Sequence, residues 1–150
     1  MALIMAAVLT MTPIADTGEP MIPRDDQRLY AQIIEAEAHP SWSLDGYLLL
    51  AQTVRNQLGK YGETYREVLT RDGNYTVYRN NRYLSVGISH NALIAVNLVL
   101  RGSDKQNFGQ MYFCTADHLA RNPQGLHGRS EEVARYRNVV FVKYEDDEDE

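Results

Sequence analysis

Apolar residues recur at helical spacing through the first two-thirds of the chain and at strand spacing near its end. Leu29, Tyr30, Ile33, Ile34 and Ala36 follow an i, i+3, i+4 rhythm, which predicts a helix over residues 26–38, capped by Asp25 or Asp26 and stopped by Pro40. Tyr47, Ala51, Val54 and Leu58 predict a second helix over residues 44–58, with Ser43 as its N-cap and Gly59 as its stop. A short third helix is expected over residues 64–70, before Asp72-Gly73. Tyr75-Thr76-Val77-Tyr78 reads as a strand, Arg79-Asn80-Asn81 as a turn, and Arg82-Tyr83 as the returning partner. A fourth helix over residues 91–101, with Ser89 as cap and Gly102 beyond its end, is apolar nearly all round, which predicts a central buried position. Two late apolar runs follow, residues 110–114 and 138–144, the second β-branched and aromatic enough to be a strand. Helices first and short strands later make an α+β arrangement.

A chain of 150 residues suits one domain with one core. Pro13, Gly18, Pro20 and Pro23 mark a linker, so residues 1–24 read as leader and linker and 25–144 as the folded domain. Residues 145–150 are all acidic and read as a solvated tail whose deletion is expected to change melting temperature and turnover little. They account for the net charge of −5; without them 14 acidic residues face 15 basic ones. So balanced a body lacks the basic stripe of a nucleic-acid binder. The apolar run at residues 2–9 is too short to span a bilayer and lacks a basic n-region, so it reads as a disordered or loosely docked leader or a mis-set start, with a degenerate signal peptide as the lesser alternative. The single cysteine, Cys114, excludes an intrachain disulfide and is expected to be a buried structural thiol. His90, His118 and His127, with Asp117, match no metal-ligand spacing, so no metal or cofactor is expected, and the glycine-flanked stretch at residues 125–129 reads as a flexible loop.

The first helix carries the chemistry. Successive residues rotate by ~100°. With Leu29 at zero, Ala36 lies near ~−20°, Ile33 near ~40°, Tyr30 near ~100° and Ile34 near ~140°. Glu37 falls near ~80°, inside this apolar arc, whereas Glu35 falls near ~240°, on what should be the solvent face. Burial disfavours the ionised form of a carboxyl, so the pKa of Glu37 should rise. A Glu still protonated near neutrality can donate to the leaving-group oxygen of a glycoside. The plainer alternative is a buried Glu held by an Arg or by backbone donors in a structural role.

Residues 29–55 resemble the opening segment of the SleB-type cell-wall hydrolases, which cut the glycan strand of peptidoglycan. That family shows an apolar helix ending in a Tyr-Ala-Glu-Ala-like stretch, then an acidic residue and Gly, then a helix with an Ala-x-x-x-x-Asn pattern. This chain has Ile34-Glu35-Ala36-Glu37-Ala38, then Asp45-Gly46, then Ala51 to Asn56. More weakly, Gly73-Asn74-Tyr75 resembles the family's Gly-x-Phe-like segment, Gln110-Met111-Tyr112-Phe113 its Ala-Leu-Tyr-Phe strand, and Val139-Val140-Phe141 its last strand. The chain departs from the family at His39-Pro40-Ser41 and Cys114-Thr115-Ala116, and has Asn138 where a His is expected.

The resemblance implies a small lysozyme-like α+β domain, a helical lobe and a short antiparallel β lobe with a cleft between them. It implies cleavage between N-acetylmuramic acid and N-acetylglucosamine by a monomer, with Glu37 as the catalytic acid. A two-carboxylate glycosidase would need a partner, for which Asp45, Glu63 and Asp72 are candidates. Lytic transglycosylation needs only the one Glu and is the favoured expectation. Asn56, Tyr75, Tyr78 and Tyr112 are the expected substrate contacts, the tyrosines as stacking surfaces for sugars. The alternative function is a non-catalytic peptidoglycan-binding module, such as a component of a phage particle.

Overall fold

The computed structural model describes residues 22–122 and 130–144. The expected leader, His127 with its glycine-flanked loop, and the acidic tail lie outside those residues. The chain divides after Gln106 into two compact units.

The first unit is helical. Its α1 (Arg24–Glu37) starts two residues earlier than periodicity suggests, because Pro23 occupies the N-cap position and Asp25 and Asp26 fall in the first turn, where they favour the helix dipole instead of capping it. Next come α2 (Leu44–Asn56), with Ser43 at its N-cap, and α3 (Tyr65–Thr70). The start of α3 is a complete capping box: Thr64 Oγ1 accepts from Glu67 N at 3.1 Å, and Glu67 Oε1 accepts from Thr64 N at 3.2 Å. A one-turn α4 (Thr76–Arg79), a 3-10 turn (Arg82–Leu84) and α5 (His90–Leu100) complete the unit. Ser89 caps α5 through Ala92 N at 3.2 Å, as its position suggests.

Two expectations fail here. Residues 75–78 are helical: Tyr75 is extended, but Tyr78 N and Asn80 N close back on Tyr75 O (3.0 Å) and Thr76 O (2.9 Å), and Arg82–Leu84 coils instead of pairing. Aromatic and β-branched content raised the strand expectation, but so short a segment follows its packing, with Tyr75 and Val77 turned inward and buried. The central helix is α1, not α5. Every other helix of this unit and the 3-10 turn pack on α1, whereas α5 leaves Ile94 43% exposed.

The second unit holds β1 (Tyr112–Thr115), α6 (Ala116–Arg121), β2 (Ser130–Tyr136) and β3 (Val139–Tyr144). The sheet is antiparallel throughout in the order β1-β3-β2, with Phe113 opposite Phe141 and Tyr136 opposite Val139. β3 lies in the middle, which is why Val140, Phe141, Val142 and Tyr144 are all buried. Arg137, at φ 55°, and Asn138 make the tight connection from β2 to β3. β2 escapes sequence reading because Glu131, Glu132 and Arg135 make it look like surface, and a register shift between Glu132 and Ala134 breaks its alternation. Cys114 is half-buried rather than buried, because β1 is an edge strand covered by β3 on one side only.

Candidate active site

Glu37 is the last residue of α1. Ala38 leaves the helix in extended conformation, its N–H still bonded to Ile34 O at 3.0 Å, and a turn closed by Trp42 N on His39 O at 2.9 Å leads into α2. Two turns earlier in α1, the Tyr30 hydroxyl donates to Ala51 O at 2.5 Å and its ring stacks on Tyr65 at 5.0 Å. The side chain of Glu37 is half-buried.

Burial pushes the Glu37 carboxyl from its ordinary 4.5 up to about 7, against the opposing pull of the Arg82 guanidinium. Tyr75 lies close enough that burial first, and then the charge of Glu37, raise its phenol well above the usual range. The Tyr75 hydroxyl donates to Gln57 Oε1 at 2.8 Å, and Asn74 Nδ2 reaches the same oxygen at 3.2 Å and Val68 O at 2.9 Å. Gln57 thus ties the segment before α4 to the end of α2, which sets the wall beside Glu37. Arg82 comes from the 3-10 turn packed on α1, and Tyr78 and Tyr83 pair their rings at 5.2 Å in the same stretch.

The expected site residues fall in different places. Tyr75 is only 4% exposed, so it backs the acid and offers no open face to a sugar. Tyr78 is half-buried and leaves part of its ring accessible. Asn56 is half-buried at the end of α2. Tyr112, in the second unit, starts β1 with its ring 6.4 Å from that of Phe113. Asp45, Glu63 and Asp72 are all exposed, and the charge acting on Glu37 is that of Arg82. A concavity of about 570 Å³ lies at the other end of α1, between Pro23, Asp26, Leu58, Tyr65 and Leu100, and does not contain Glu37.

Glu35 is a correction. It is not a surface residue: its Oε1 accepts from Ser89 Oγ at 2.6 Å and Ser89 N at 3.0 Å, and its Oε2 from the Tyr47 hydroxyl at 3.2 Å. The wheel assumed one buried arc, but α1 is covered on this side too, by α2 and α5. Two adjacent carboxyls thus differ in another way. Glu35 is saturated with donors and anchors α5, while Glu37 is desolvated and feels only the charge of Arg82. Sequence reading also missed Arg82, which was placed in a hairpin. Its separation from Glu37, 45 positions along the chain, leaves no local signal.

A helical unit followed by a three-stranded antiparallel sheet is a small α+β, SleB-like fold. Among solved structures the chain is similar to the catalytic domain of the Bacillus cereus SleB protein, at 15% identity and a TM-score of 0.68, over 81% of this chain and 91% of that one. At that identity the likeness is one of fold. No family profile and no curated protein sequence matches the chain.

Proposed function

We propose that this chain cleaves the glycan strand of peptidoglycan between N-acetylmuramic acid and N-acetylglucosamine, with Glu37 as general acid and then general base, by lytic transglycosylation. The observation that carries the proposal is a half-buried carboxyl pushed to about 7, which keeps a large protonated fraction up to neutral pH and, among the described residues, has no second carboxylate acting on it. The resemblance of residues 29–55 to SleB-type hydrolases and the likeness in fold support the substrate class.

Glu37 gives its proton to the glycosidic oxygen as the bond from that oxygen to C1 of the muramyl ring breaks. The Glu37 carboxylate then takes the proton of the muramyl 6-hydroxyl, whose oxygen bonds to C1. The product is a 1,6-anhydro end, and the acid is restored. Arg82 offsets the negative charge that Glu37 carries between the two transfers, and Tyr78 gives a ring edge and face for a bound sugar. Mass spectrometry of purified peptidoglycan digested with the protein tests this. Anhydro-muramyl fragments are the expected result. Reducing muramyl ends would mean hydrolysis, and protein that sediments with intact peptidoglycan but releases nothing would mean a binding module.

A further inference from the structure

Arg82 is exposed at the start of the 3-10 turn, and its guanidinium makes no hydrogen bond or ion pair among the described residues. It is not loosely held at its root. Arg82 N donates to Asn80 Oδ1 at 2.9 Å, Asn81 adopts a left-handed conformation at φ 65°, and Leu84 N and Ser85 N close the turn on Asn81 O and Arg82 O at 3.1 and 3.0 Å. Ser85 Oγ also donates to Arg82 O, at 2.9 Å. A tyrosine pair, Tyr78 and Tyr83, lies in the same stretch, and the turn packs on the helix that ends in Glu37. A fixed backbone thus presents an unpaired cation in the same short stretch as the tyrosine pair, close enough for its charge to act on the Glu37 carboxyl.

Resting on the function proposed above, we propose that Arg82 is a specificity-determining residue that pairs with a carboxylate on the muramyl substituent of the glycan strand, while the Tyr78–Tyr83 pair lies against the adjoining sugar. The carboxylate has two sources: the lactyl group of a strand stripped of its peptides, or the stem peptide of an intact one. A neutral sugar polymer offers neither, so Arg82 would separate peptidoglycan from an uncharged amino-sugar chain.

Co-sedimentation tests this without requiring cleavage. Wild type, Arg82→Gln and the control Arg79→Gln, which removes a neighbouring exposed cation, are titrated against four insoluble strands: intact, peptide-stripped, and each of these with its carboxyls amidated. Wild type should bind at least one carboxyl-bearing form about fivefold more tightly than its amidated form, the scale of a partly exposed ion pair. Arg82→Gln should lose that preference and Arg79→Gln should keep it. Preference among stripped strands assigns the lactyl group, and preference confined to intact strands assigns the stem peptide. Equal binding of native and amidated strands by wild type, an unchanged preference in Arg82→Gln, or no binding at all overturns the inference. An Arg82-dependent preference in a protein that releases no fragments would overturn the cleavage function and leave this inference standing.

Discussion

Glu35 and Glu37 sit two residues apart on one helix, and what separates them is solvation and donors. Glu37 loses water and gains little in return, so folding favours its protonated form. Because its folded pKa is about 7 against an ordinary 4.5, this neutral form is free of penalty below about pH 4.5, and stability should fall as the pH rises from there to about 7 and then level off. The total loss should be at most about 3 kcal/mol, less what residual solvent screens. Chemical denaturation from pH 4 to 8 should show this slope in wild type and a flatter one in Glu37→Gln, with the variant the more stable at pH 8. The same slope in both would place the titration elsewhere. Glu35 has the opposite economy: three donors converge on it. Glu35→Ala strands Ser89 and Tyr47 and should cost about 2–3 kcal/mol, since bonds to charged groups are worth more than neutral ones. Unchanged melting would show that those bonds add nothing net. The sequence makes Glu37 legible because it breaks an apolar arc, but a single arc could not reveal that α1 is covered on both sides.

At the scale of elements, chain signals with a local cause were legible and those that depend on packing were not. The cap at Ser89 and the last strand follow from residues within a few positions of each other, and so does the capping box at Thr64, although the sequence reading passes over it. The α4 turn does not, because its conformation follows from Tyr75 reaching Gln57, 18 positions back. Nor does β2, whose charged edge pairs Arg135 with Glu132 at 3.0 Å and looks like solvated surface. A packing device of the same hidden kind is Gly62. A Cβ there would lie 2.8 Å from both Glu67 Cβ and Val68 N, and the latter is backbone held inside α3. Gly62→Ala should therefore destabilise by about 1–3 kcal/mol through overpacking, although its backbone is in no conformation reserved for glycine. The contact itself predicts that Gly59→Ala differs in cause, since nothing lies near its Cβ and only its φ of 87° resists. Thermal melts of the two variants check both, and an unchanged Gly62→Ala would show that α3 shifts freely.

For the whole molecule, the order of elements carried most of the information. Helices before strands put the chain in the α+β class, and that is the class observed in its two units. Among the described residues no helix is long and apolar enough to cross a membrane. Identity of 15% with a chain of similar fold leaves few positions at which a resemblance can be read from sequence, and the specific one is the short stretch around Glu37 and Asn56. Arg82 belongs to the part that sequence could not assemble, because it lies in a coil read as a hairpin and 45 positions from the acid it acts on.

The central claim is that Glu37 supplies the proton, and one measurement meets it directly: release of soluble muramyl fragments from purified peptidoglycan by wild type and Glu37→Gln, each shown by circular dichroism to be folded. Gln keeps the shape of the side chain and has no acidic proton. Wild type should release fragments, with activity sustained below about pH 7 and declining above it as the carboxyl ionises. Glu37→Gln should release none at any pH. A folded Glu37→Gln that still cleaves at the wild-type rate would contradict the account.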